Sequence, residues 1–257
     1  MKELIHLYGP IAIHGYGVAI CIGLCIALWC ATQHVWCRRY IGTARFIDLI
    51  LSAIGAGIIG GRILYSITEW HEFSTWLEIG ALWDGGFSLL GTIIAVLCFI
   101  PWYSWRHNIP YFPTIDLCAL YAPLFQSIAR LGCLWAGCCS GIISTVPWAI
   151  YDETGTFFVH PTQLYSTLAL LFVFLFLRFV ITRYFKQPGH ILAWYLFSAG
   201  IERATLDFWR ADHYTHSATT HWISGHQILA LSISFVGLII LVYASFFLQR
   251  EHTYGPI

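Results

Sequence analysis

Charge is what this sequence has least of. Only 10% of its 257 residues are Asp, Glu, Lys or Arg, against roughly one quarter in soluble domains. The 13 cations are matched by 13 carboxylates, so the formal net charge is zero and there is no basic surface to attract nucleic acid. Nothing at the N-terminus reads as a cleavable signal, so none is expected: Met1 to Pro10 carries Lys2 as its one cation, and the apolar run behind it is long enough for a full span. No internal repeat is visible, which argues against a transporter built from two similar halves. Paired CxxC spacing, a common zinc signature, is absent too, so the reading includes neither metal nor cofactor.

What is abundant is apolar sequence. Hydrophobic residues make up 58% of the chain and mean hydropathy is +0.69, the composition of a polytopic membrane protein. A span needs about 20 mostly apolar residues. Seven runs qualify, near residues 11–32, 46–67, 86–105, 114–136, 161–182, 190–208 and 226–248. The expectation is an all-α integral membrane protein with seven transmembrane helices, forming one domain over residues 1–257.

Cations set the orientation, because they accumulate on the cytoplasmic side. With the N-terminus outside, eight fall inside (Arg38, Arg39, Arg45, Arg106, Arg178, Arg183, Lys186, Arg250) and two outside (Lys2, Arg210). That bias predicts an outer N-terminus and a cytoplasmic C-terminus. Residues 68–85 become an outer loop whose Trp70, Trp76 and Trp83 read as headgroup-level anchors or substrate contacts.

The remaining three cations, Arg62, Arg130 and Arg203, lie at membrane depth, toward the outward ends of the second, fourth and sixth spans. An arginine held in hydrocarbon costs several kcal/mol unless it faces a polar cavity or has a partner. One reading is interhelical glue. Charges of one sign cannot satisfy one another, however, and guanidiniums that converge suit a phosphate, whose oxygens accept bidentate hydrogen bonds. At that depth the natural phosphate is a phospholipid headgroup. Arg203, Asp207 and Arg210 share one helix face by their i, i+4, i+7 spacing, so Asp207 is placed to orient both arginines.

Nine cysteines do not make a disulfide framework, since Cys21, Cys25, Cys30, Cys98 and Cys118 lie in apolar segments as small hydrophobes. Cys133, Cys138 and Cys139 cluster at a span's end, as packing residues or as a thiol group with a role of its own.

Six stretches together resemble one family: His14-Gly15-Tyr16-Gly17, Gly60-Gly61-Arg62-Ile63-Leu64-Tyr65, Gly85-Gly86-Phe87-Ser88, Asp116 with Arg130-Leu131-Gly132, His160-Pro161-Thr162-Gln163-Leu164-Tyr165, and Glu202-Arg203 with Asp207-Phe208-Trp209-Arg210. In this order they resemble the prolipoprotein diacylglyceryl transferases. These bacterial inner-membrane enzymes move a diacylglyceryl group from phosphatidylglycerol to the lipobox cysteine of a prolipoprotein. The resemblance implies Arg130, Arg203 and Tyr16 as catalytic residues. Arg62, Asp116, Asp207, Arg210, His160, Gln163, Tyr165 and Cys138 would bind phosphatidylglycerol, the lipobox peptide or surrounding membrane lipid.

The chain also departs from that family. Leu90 stands where the family has a histidine regarded as catalytic, and Cys133, Ala136 and Cys138 replace two Asn and one Glu of its signature. Leucine cannot move a proton, so a base is either dispensable or supplied by His160 or His14, each of which also reads as a structural residue. A related phospholipid-dependent transferase with another acceptor, and a non-catalytic lipid-binding paralogue, remain the alternatives.

Overall fold

Backbone amides in a hydrocarbon solvent have only one another to bond, so long apolar runs form helices. The computed structural model describes residues 3–8, 11–73, 78, 80, 85–152, 154–185, 187–211 and 224–247. Lys2, Trp76, Trp83, Lys186 and Arg250, invoked above, lie outside them. Among the described residues seven long helices follow one another: α1 Gly15–Gln33, α2 Thr43–Thr68, α3 Leu89–Arg106, α4 Tyr111–Ala136, α5 Thr162–Tyr184, α6 His190–Asp207 and α7 Gly225–Phe247. A widened turn at Leu177–Ile181 interrupts α5. Before α1, β1 Glu3–Tyr8 and β2 Ile11–His14 form a two-stranded sheet, so the first helix begins four residues later than its apolar run.

Six of the helices are long and apolar enough to cross a membrane. The exception is α6, which concentrates Glu202, Arg203 and Asp207 in a single helix. Burial is inverted relative to a soluble protein. Leu97 and Phe172 are about two-thirds exposed, whereas Asp116 and Asp207 are 0% and 2% exposed. Apolar side chains that face outward and charges that face inward are what a lipid solvent selects.

The chain divides into two compact units. One comprises residues 8–11 and 32–114 and is built on the α2–α3 pair. Small residues bring those helices together: a Cβ added to Gly91 would lie 2.4 Å from the Gly60 carbonyl oxygen, and one on Gly60 would lie 2.3 Å from the Ala95 Cβ. The other unit, residues 1–7, 12–31 and 115–257, holds α1, most of α4, and α5 to α7. Polar side chains tie its helices to one another. Gln126 Nε2 on α4 donates to the Tyr195 hydroxyl on α6 at 2.9 Å, and Ser234 on α7 donates to the Phe197 carbonyl at 2.8 Å.

Between α4 and α5 of this larger unit the chain builds a small antiparallel patch. β3 Ile150–Tyr151 pairs with β4 Phe158–Val159, and the segment Gly141–Ser144 runs beside β4. Gly141 also bridges to Arg210, just past the end of α6. A Cβ at Gly141 would meet the His160 and Trp209 carbonyl oxygens at 2.6 Å each, so only glycine lets the three segments close up. This patch fixes Arg210 and the residues after α4 relative to α5.

Candidate active site

Three arginines of the larger unit meet. Arg130 from α4, Arg203 from α6 and Arg210 from the patch line one narrow cavity, together with Glu202, Gln163 and Cys139. Their convergence follows from local structure. Arg130 lies two turns before the end of α4, Arg203 one turn before the end of α6, and the Gly141 bridge draws Arg210 back over the same opening.

The cavity's charge is partly balanced. Arg203 pairs with Asp207 at 3.8 Å, one turn along α6, and Asp207 is held in turn by the Ser224 hydroxyl. Ser166 of α5 donates to Glu202 Oε1 at 2.5 Å. Three guanidiniums against two carboxylates leave at least one positive charge over, enough for one phosphodiester. Among the described residues Arg130 makes no hydrogen bond within the protein, and it lines the cavity with its donors unspent.

The opposite wall is fastened through the backbone. Thr162 Oγ1 donates to the Cys139 carbonyl at 2.8 Å and Gln163 Nε2 to the Cys138 carbonyl at 2.7 Å. Gln163 is 2% exposed, and among the described residues its amide oxygen has no partner, which leaves an acceptor at the cavity edge. Cys139 itself adopts a left-handed conformation, φ 61°, two residues after Gly137 at φ 76°. That turn brings the Cys139 sulfur back over the end of α4, and the sulfurs of Cys133, Cys138 and Cys139 all lie within 4.8 Å of one another. Hydrogen bonds from Cys133 and from Arg210 pull the Cys139 thiol down to about 5, against the resistance of its burial. Burial pushes the neighbouring Cys138 thiol up instead. Tyr16, at the start of α1, is half-buried within electrostatic reach of Arg130 and all three thiols.

The other residues singled out from the sequence take different places. Asp116 is not on this cavity. Its two oxygens accept from the backbone amides of Gly189 at 2.7 Å and Leu192 at 3.0 Å, capping the start of α6. Fourteen residues of helix separate it from Arg130, about 21 Å at 1.5 Å per residue, so one headgroup cannot touch both. His160 and Tyr165 bond to each other at 3.1 Å, and Tyr165 also accepts from the Trp148 indole at 2.7 Å, forming a network on the loop side of α5. Cys138 joins the thiol cluster, but it is Cys139 that reaches the cavity wall.

Arg62 belongs to the smaller unit. Its guanidinium donates to the carbonyls of Gly85, Gly86 and Glu78 and lies 5.3 Å from the Phe73 ring centroid, so it gathers the loop between α2 and α3. Leu90, in the first turn of α3, is 61% exposed. Sequence reading missed Glu202, Ser166 and Cys139 as site residues. Glu202 had a signal, a carboxylate beside an arginine in an apolar run, and Cys139 had one in the clustered thiols; Ser166 had none until the fold placed it.

Fold and site together define the class: a polytopic helical membrane protein with an arginine-lined cavity between its helix ends. Comparison with known proteins narrows this. The sequence profile of the prolipoprotein diacylglyceryl transferases matches residues 2–243, and the chain belongs to that family. It is 30% identical over 252 residues to the phosphatidylglycerol–prolipoprotein diacylglyceryl transferase of Wolbachia pipientis subsp. Culex pipiens (strain wPip), covering 95% of each chain. The enzyme of the same name from Aliivibrio fischeri (strain MJ11) is 29% identical over 250 residues, 92% of this chain and 85% of that protein.

Proposed function

We propose that this chain transfers a diacylglyceryl group from phosphatidylglycerol to the lipobox cysteine of a prolipoprotein, in the bacterial inner membrane. The observation that carries the reading is the shared cavity of Arg130, Arg203 and Arg210. In the reaction the acceptor sulfur attacks the glyceryl carbon next to the phosphodiester. A C–S bond forms, the C–O bond breaks, and its electron pair leaves on glycerol phosphate. The arginines hold the phosphate and stabilise the charge that grows on it, the contribution usually largest in such sites. Asp207 positions Arg203, and Tyr16, within electrostatic reach of Arg130, would assist from α1.

Seven spans, with α6 as the least apolar of them, an outer N-terminus and a cytoplasmic C-terminus fit this assignment, because they open the cavity toward the side on which prolipoproteins emerge. The matched profile runs through both compact units, which supports treating them as one transferase domain. Leu90 and the three clustered thiols favour, as a second reading, a transferase of the same chemistry with a different acceptor. The test is transfer of radiolabelled lipid to a lipobox peptide by Arg130→Ala and Arg203→Ala variants. Both are expected to lose turnover, and undiminished transfer in both removes the proposal.

A further inference from the structure

The three sulfurs at the cavity rim are arranged for more than packing. Cys133 opens the last turn of α4, and the Cys138 amide returns to the Cys133 carbonyl at 3.2 Å. The left-handed residues Gly137 and Cys139 then fold the chain back on itself. The bonds from Thr162 and Gln163 pin the carbonyls of Cys139 and Cys138, so the loop is held in place before any ligand arrives. An odd number of thiols cannot be consumed by disulfides, and a packing role requires no convergence of sulfur atoms.

Three cysteine sulfurs at this spacing are a ligand set, each giving up its proton to water as it binds the ion. Zinc binds sulfur at about 2.3 Å, which in a tetrahedron sets sulfur pairs about 3.8 Å apart. The cluster, already within 4.8 Å, needs to close by no more than about 1 Å per pair. Three thiolates on a dication carry one net negative charge, and Arg130 and Arg210 stand beside Cys133 and Cys139 to offset it. Soft sulfur donors with no carboxylate or imidazole among them select zinc or copper(I) over magnesium or calcium.

We propose that Cys133, Cys138 and Cys139 bind one zinc ion at the edge of the arginine cavity, and that its open fourth position takes the acceptor thiol. Three protein ligands and a vacant position are the mark of catalytic rather than structural zinc. A thiol that coordinates the ion does so as thiolate, its proton passing to water. The metal-bound sulfur then attacks the glyceryl carbon, forming the C–S bond as the C–O bond breaks and glycerol phosphate departs, and the thioether product, a weaker ligand, leaves the ion. This arrangement supplies acceptor activation without a base at position 90. The thiol-activation half rests on the transferase reading above; the metal site itself does not.

The experiment uses the full chain in nanodiscs containing phosphatidylglycerol, reduced, loaded with zinc and desalted. One zinc per chain is expected, with occupancy falling at least tenfold in Cys133→Ser, Cys138→Ser and Cys139→Ser alike. X-ray absorption should show three sulfurs at about 2.3 Å. Adding a lipobox peptide should raise that number to four, whereas its Cys→Ser counterpart should leave it at three. Removing zinc should cut transfer at least a hundredfold with phosphatidylglycerol binding unchanged. Reduced protein that retains no zinc, a disulfide among the three, or copper(I) bound in preference overturns the site. A sulfur count that stays at three with peptide, or full transfer without metal, overturns its role. Arg203→Ala, which lines the cavity but does not stand beside the three sulfurs, should keep its zinc, so failure of the lipid-binding reading and failure of the metal reading give different results.

Discussion

Arg62 and Arg130 are both guanidiniums near the ends of long apolar helices, and the sequence treats them alike. The structure does not. Arg62 is 6% exposed and its donors go to three loop carbonyls, with Phe73 and Tyr65 rings beside the charge. Arg130 has no such partners among the described residues and opens onto a cavity with Arg203 and Arg210. A charge bonded to its own backbone organises structure, whereas a charge left facing a cavity is available to a ligand. The difference lies in what surrounds each arginine, not in depth or helix type.

The largest effect should appear where the comparison is broken outright. Arg130→Ala should lower transfer by about 10²- to 10³-fold, the cost of losing one positioned donor to developing charge, while the protein keeps its melting temperature. Arg62→Ala should do the reverse. Its three carbonyls, orphaned together, cost about 1–3 kcal/mol each if water cannot reach them. The variant should therefore melt early, with residual activity tracking the folded fraction. Calorimetry and single-turnover transfer on both variants check this, and a selective catalytic defect in Arg62→Ala at unchanged stability would contradict the assignment.

Asp116 and Asp207 sharpen the same contrast among carboxylates. Asp116→Ala removes two cap bonds from α6 and should cost about 1–2 kcal/mol of stability. Asp207→Asn keeps the shape but lets Arg203 swing, so its loss should fall on turnover. Gly141→Ala tests the patch that carries Arg210. The added Cβ must displace two backbone oxygens, and overpacking of that kind costs about 1–3 kcal/mol. Thermal denaturation should detect it together with weaker phosphatidylglycerol binding.

The helices were legible because lipid leaves little choice: the apolar runs near 46–67, 114–136 and 190–208 became α2, α4 and α6 with ends shifted by three residues or fewer. Pairing Arg130 with Arg203 was legible from the same logic, since both demanded a polar setting. What the sequence hid is tertiary. Asp116 finds its partners more than 70 residues away, at the start of α6. Arg62 is satisfied by a loop whose twin glycines, both at positive φ, expose their carbonyls to it. Whether Cys138 or Cys139 reaches the cavity depends on one left-handed residue, which no periodicity reveals.

The smallest effect distinguishes those two thiols. In metal-free protein Cys139 should be thiolate down to about pH 5, because bonds from Cys133 and Arg210 favour the charged form more than burial opposes it. An ordinary thiol is deprotonated only near pH 8.5. The sign follows: alkylation of Cys139 should rise as pH climbs through about 5 and level off well below neutrality. Cys138, whose thiol burial pushes the other way, should still be accelerating at pH 9, about the ordinary value for a thiol. The Cys139 plateau will be modest, since nucleophilicity falls with pKa. Peptide mapping after brief alkylation across that range reads both residues in one sample. Identical profiles for Cys138 and Cys139 would mean that the bonds from Cys133 and Arg210 do not act on the Cys139 sulfur, and the rim of the cavity would lose its asymmetry.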